Sequence, residues 1–179
     1  MSLIDTSYFV KDISIPDGGN SNLDNDITKY EPEILKRLLG YELWDLIKDD
    51  PTTPDRLNDL INGVEYTVSY NGRDQKVKWN GLKNEDKISL SAYYTYFMWF
   101  KNNATSTSNI GEVRGDSENS IGVSAAQKMG SAWHRMRELY GYPGQHQLEP
   151  SAYNFLLEHK DDYEEWVYSK IGTVNMFGL

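Results

Sequence analysis

The chain has 179 residues, 39% of them hydrophobic, and no cysteine. That length suits one domain burying roughly two-thirds of its unfolded surface, and the missing cysteine excludes disulfides, thiolate nucleophiles and sulfur-bound zinc. Lysine plus arginine number 18 against 27 aspartates and glutamates, a net charge of −9; a field of that sign repels phosphate backbones and anionic lipid, so sequence-specific nucleic-acid binding and membrane association are not expected.

Residues 1–23 hold Pro16, Gly18, Gly19 and several Asn and Asp, which favour turns and predict an irregular N-terminal arm. The opening "MSLIDTSYFVKDISIPDGG" lacks a basic segment followed by an apolar one, which predicts synthesis in the cytoplasm without export. Asn20, Asn22, Asp24, Asp26 and Glu31 fall at the first, third, fifth, seventh and twelfth places of a calcium-loop template, oxygen ligands at a spacing that can wrap a hard cation. The sixth place is Asn25 and not glycine, and the first has no carboxylate. Turn and cap residues account for the same Asp and Asn.

Apolar residues then recur at Ile34, Leu35, Leu38, Leu39, Leu43, Leu46 and Ile47. This is helical spacing, with Pro32 in a first turn and Gly40 a break, giving two short helices or one kinked one. In "TPDRLNDLING" Thr53 caps, Pro54 opens and Gly63 closes a short helix. The period then falls to two in "VEYTVSYNGRDQKVKWNG" around Asn71-Gly72, a dipeptide suited to tight turns, which predicts a β-hairpin over 64–80. A two-stranded ribbon is marginal in water, so it must pack on helices or on a neighbouring subunit.

A helix from about Leu82 to Asn102 is apolar nearly all round after Ile88, as expected of one buried on every side. Its stretch from Ile88 to Phe100 is too short and too hydroxylated to span a bilayer. The polar run 102–123, "NNATSTSNIGEVRGDSENSIGV", exceeds the roughly fifteen residues beyond which structureless loops are usually functional or disordered. The next helix opens at Ser124 and Gln127, carries Met129, Trp133, Met136 and Tyr140 on one face, and stops at Gly141 and Pro143. A last long helix from near Pro150 to Gly172 places Tyr153, Leu156, Tyr163, Val167 and Ile171 inward, with Asp161, Asp162, Glu164 and Glu165 outward. An apolar tail, 172–179, follows. The expected fold is a single, mainly α domain: a bundle of five to six helices with one inserted β-hairpin and long flexible loops or arms.

Catalytic signatures are absent from the sequence. His134, His146 and His159 have no metal spacing, and no nucleophile elbow or phosphate loop occurs. Glu31 with Glu33, or Asp55 with Asp59, could divide acid and base roles if burial separated their pKa values, but solvated helix faces explain them equally. Arg114-Gly115-Asp116 and the sequon at Asn103 are short matches of the kind chance supplies. The 13 tyrosines and 5 tryptophans suit core packing and contact surfaces alike.

Tyr30-Glu31-Pro32-Glu33, the run Leu38 to Leu43, Trp79-Asn80-Gly81-Leu82 and the Thr-rich loop carrying Gly111-Glu112-Val113 together resemble phage- and prophage-encoded head–tail connector proteins of Bacteroides-type bacteria. The likeness runs from Asp24 to the C-terminus; the hairpin and the N-terminal arm depart from the smaller helical bundles of better-known connectors. The resemblance implies a non-enzymatic virion protein without a cofactor, which forms a ring below the portal and joins head to tail. It would be found in the bacterial cytoplasm during assembly and then in the virion. Its implied partners are copies of itself and the phage portal and tail proteins. In that setting 102–123 is an assembly arm that contacts partners through Ile110, Glu112, Val113 and Arg114, its "IGEVR" able to add to an exposed strand edge. Met176, Phe177 and Leu179 are a second anchor. Two other classes compete: an intracellular adapter binding a peptide or calcium, and an acidic hydrolase using two carboxylates.

Overall fold

The computed structural model describes residues 2–15, 22–49, 55–103, 106–108, 111–113 and 125–172. Among these, six α-helices surround one hydrophobic cluster and carry an antiparallel hairpin, so the fold is mainly α with an inserted β-hairpin.

Helix α1 spans Leu23–Leu39. Leu23, Ile27, Tyr30, Ile34, Leu35, Leu38 and Leu39 form its buried stripe. Asp24 and Asp26 in the first turn and Lys36 and Arg37 in the last oppose the helix dipole favourably. Pro32 is therefore an interior residue, not an opening one. An interior proline removes one helix hydrogen bond, here to the Thr28 carbonyl, and is tolerated where water can replace it; Thr28 and Pro32 both line an open groove. Gly40 follows at φ 79°, its N–H donating to the Lys36 carbonyl over 3.0 Å. Helix α2, Tyr41–Asp49, begins at the next residue, and α3 spans Asp55–Asn62.

Within the expected arm, 1–23, the described residues 2–15 are irregular, but they are not a free arm. This stretch contains two single turns of 3-10 helix, Thr6–Tyr8 and Lys11–Ile13, and buries Leu3, Ile4, Tyr8, Phe9, Ile13 and Ile15. The Tyr8 hydroxyl accepts from Asn84 N over 3.1 Å, and Tyr93 donates its hydroxyl to Asp12 over 3.0 Å.

Helix α4, Leu90–Asn103, forms the centre of the bundle and packs on α1 and on α5, Ala125–Tyr140. Residues 90–97 are all buried. It starts later than its composition suggests because 82–89 is tied down locally. Asn84 Oδ1 accepts from Ile88 N, and Ser89 Oγ accepts from Ser91 N while donating to the Leu82 carbonyl over 2.8 Å.

The expected last long helix is instead short. Helix α6 covers Ala152–Glu158, with the Ser151 side chain capping Asn154 N. Beyond it Asp161, Asp162, Glu164 and Glu165 crowd the end of a helix where negative charge is disfavoured, and 159–172 runs as turns and extended chain. Tyr163 and Ile171 are buried as expected, whereas Val167 is 66% exposed. This strap is held by side chains: Arg56 pairs with Glu165 through two bonds of 2.7 and 2.9 Å, Tyr163 donates to the Arg56 carbonyl, and Trp133 Nε1 donates to the Gly172 carbonyl over 3.2 Å.

The polar run is not featureless either. Asn102 and Asn103 belong to α4, and β3, Ser106–Ser108, pairs antiparallel with β4, Gly111–Val113.

Candidate interaction surface

The hairpin pairs β1, Val64–Tyr70, with β2, Arg73–Trp79, in register from Val64 opposite Trp79 to Tyr70 opposite Arg73. Asn71 at φ 51° and Gly72 at φ 73° close it, two left-handed residues in succession as a tight turn of this kind requires. Its base is fixed by a close backbone crossing: a Cβ on Gly63 would lie 2.4 Å from the Trp79 carbonyl oxygen, and one on Gly81 would lie 2.5 Å from that of Ile61. Lys83 N donates to Ile61 O over 2.9 Å there, and Trp79 Nε1 to Leu60 O over 3.0 Å.

One face of the ribbon is buried through Tyr66, Val68, Val77 and Trp79. Trp79 stacks on Phe155 at 5.7 Å, and Tyr66 meets Phe155 and His159 edge-on. Burial, then the Glu158 charge, pushes the Tyr66 phenol up to about 12. The other face, Glu65, Thr67 and Ser69 with Asp74, Lys76 and Lys78, is exposed, as is the chain from Asn71 to Lys76. The end of the ribbon therefore stands away from the core, touching the body through Tyr70, whose ring lies 5.0 Å from that of His146. Among the described residues neither strand has a further neighbour, so both edges present unpaired backbone groups.

A second surface is the groove between α1 and α2, a cavity of about 570 Å³ lined by Thr28, Pro32, Lys36, Tyr41, Trp44 and Lys48 among others. Tyr41, 70% exposed, stands at its rim. Glu31 also borders it, but its carboxylate is spent on the N-terminal segment, accepting from Leu3 N at 3.0 Å, from Ile4 N at 3.1 Å and from the Ser2 hydroxyl. Burial raises the Glu31 pKa, and those three donors pull against the rise.

That geometry bears on the calcium template. Asn22 immediately precedes α1, and Asp24, Asp26 and Glu31 lie within it; a helix spreads their side chains around its axis where a calcium loop converges them. Asn20 lies outside the described residues. Among the described residues no three His, Asp or Glu side chains are grouped to hold a metal.

Glu33 is separated from Glu31 in role, accepting from the Tyr94 hydroxyl at 2.5 Å. The histidines are dispersed: His134 meets Glu138 at 3.0 Å, His146 faces Tyr70, and His159 Nδ1 lies 2.9 Å from the Phe155 carbonyl. Of the anticipated contact residues, Glu112 and Val113 lie on β4, which pairs with β3 of its own chain. Ile110, Arg114, Met176, Phe177 and Leu179 lie outside the described residues. No described helix is long and apolar enough to cross a membrane.

The alternating pattern of "VEYTVSY" and "QKVKW" already contained the exposed edge residues, once a register was known. The groove residues Tyr41, Asp45 and Lys48 share one helix face by their spacing, but without the path of α1 nothing marked that face as one wall of a cleft. In comparison with known proteins, no family model matches the chain, and no curated protein or solved structure is found similar to it.

Proposed function

We propose that this chain is a non-enzymatic structural subunit of a phage head–tail connector, acting through contacts with copies of itself and with portal and tail proteins. The supporting observation is the hairpin, locked to the body at its base yet exposed at its end with both edges open. Open strand edges are normally covered or blunted, because they template pairing with another chain; here they are carried out into solvent on a rigid support. A head-to-tail contact repeated by rotation closes a ring and needs two different complementary surfaces on each subunit, and a hairpin offers two different edges. The segment bearing β3 and β4 then serves the unlike partners. An acidic ring wall would also let DNA pass without holding it.

Deleting Thr105 to Asn119 tests this assignment. The expected result is a nearly unchanged melting temperature with loss of joined particles. Unfolding of the deletion variant would make the segment part of the core and refute its role as an assembly arm.

The groove between α1 and α2 favours a second reading, an adapter that takes an extended peptide beside Tyr41. Titration with calcium and with peptides separates the two, since the connector needs neither.

A further inference from the structure

The hairpin's two edges differ in charge, and the difference is directional. Pairing alternates from the turn outward. Tyr70 and Arg73 flank the two-residue loop and exchange hydrogen bonds, as do Val68 with Gln75, Tyr66 with Val77 and Val64 with Trp79. The residues between them, Glu65, Thr67 and Ser69 on β1 and Asp74, Lys76 and Lys78 on β2, direct their backbone N–H and C=O groups away from the hairpin. All six are exposed. The β2 edge thus displays two lysines and one aspartate, and the β1 edge one glutamate and two hydroxyls.

We infer that the β1 edge of one copy pairs antiparallel with the β2 edge of the next, continuing the sheet as β2–β1–β2–β1 through successive subunits. Repeating the intramolecular register across the junction sets Glu65 opposite Lys78 of the next copy, Thr67 opposite Lys76 and Ser69 opposite Asp74, a set with no like charges facing. Opposite charges across strands are favourable and like charges unfavourable. Pairing two β2 edges about Lys76 would place lysine against lysine between two Asp74–Lys78 pairs, and pairing them about Gln75 would set Asp74 opposite Lys76 twice. Pairing two β1 edges about Thr67 puts Glu65 opposite Ser69 and gains no ion pair. The heterologous junction is compatible with the charges and, unlike either self-pairing, is the kind that propagates around a ring. It also employs Lys78 of β2, which otherwise reads as a guard against edge pairing, by setting it opposite Glu65.

This contact deepens the reading of the chain as a ring subunit, and rests on it. Because the sequence has no cysteine, single cysteines give an unambiguous test. Full-length Thr67→Cys and Lys76→Cys are prepared separately, mixed, and oxidised at high concentration. The expected result is a disulfide-linked mixed dimer as the main product, with loss of that product when Lys78→Glu is added to the Lys76→Cys copy. Glu65→Lys in the Thr67→Cys copy restores it, because the two reversed charges again face each other across the junction. A predominance of Thr67→Cys homodimers would overturn the junction in favour of paired β1 edges, and a predominance of Lys76→Cys homodimers would overturn it in favour of paired β2 edges. Absence of any linked dimer while native mass spectrometry still shows a ring would overturn the edge contact alone. Absence of both ring and dimer would count against the edge contact and the ring-subunit reading together.

Discussion

Trp166 Nε1 donates to the carbonyl of Leu38 over 2.9 Å, closing the C-terminal end of α1 with a side chain 128 residues further along the chain. The neighbouring carbonyl, Arg37, is met by the Tyr140 hydroxyl at 2.9 Å, and the Lys36 carbonyl by Gly40 N. The last carbonyls of a helix have no partners within it, and here two of them are satisfied by aromatic side chains from elsewhere in the fold. Trp166→Phe keeps much of the ring packing and removes the donor, and should cost about 1–2 kcal/mol. At this chain length that is a fall of roughly 2–8 °C in melting temperature, measurable by calorimetry.

Glu31 joins the N-terminal segment to α1. Glu31→Ala orphans the N–H groups of Leu3 and Ile4, at roughly 1–3 kcal/mol for each buried donor left unmet. The pH dependence has a definite sign. Burial raises the folded pKa above the ordinary 4.5, so the contribution of this group is fully present below the unfolded value and is lost as pH rises through the folded one. Denaturant unfolding of wild type and Glu31→Gln from about pH 4 to about pH 7 should show the variant gaining relative stability as pH rises.

The buried tyrosines set the alkaline limit of the fold. Burial, as the leading cause, pushes the phenols of Tyr66 and Tyr93 from 10.0 up to about 12, and raises Tyr94, Tyr140 and Tyr163 further. Their stabilising effect is complete below the unfolded value and disappears as pH climbs through the folded values. Phenolate absorbance should therefore rise in two stages, exposed tyrosines first and the buried ones together with loss of helical circular dichroism. A single stage near the ordinary tyrosine pKa would contradict the packing around α4.

Two glycines of the hairpin region share a positive φ but differ in their surroundings. Gly72 has open space around it at the turn, whereas a Cβ at Gly81 would sit 2.5 Å from the Ile61 carbonyl oxygen. Gly72→Ala should cost about 1 kcal/mol from backbone strain alone. Gly81→Ala should cost clearly more, because the backbone crossing must open as well. Equal melting temperatures for the two variants would mean that the hairpin base is not clamped.

Much of this fold was legible from residue spacing. The Asn71-Gly72 turn located the hairpin, expected over 64–80 and found over Val64–Trp79, and the all-round apolar character of Ala92 to Phe97 marked the central helix. The misjudged elements share one physical cause, tertiary partners overriding local signals. Pro32 reads as a helix start, yet α1 begins at Leu23, with the missing hydrogen bond facing a groove. The stretch from Tyr163 to Ile171 has helical apolar spacing, yet Arg56, Tyr140 and Trp133 hold it extended. Leu3, Ile4, Tyr8 and Phe9 lack any period because they enter the common core from irregular chain and a single 3-10 turn. As for the candidate site, the hairpin could be found from sequence, but the contrast between its edges required the register.

Native mass spectrometry of the intact chain over a concentration series, with and without calcium, tests the central claim that this protein acts by fitting against copies of itself. The account predicts a closed oligomer of one integer mass, unchanged by calcium and weakened by salt that screens the facing charges. A folded monomer at every concentration that takes up calcium stoichiometrically would contradict it.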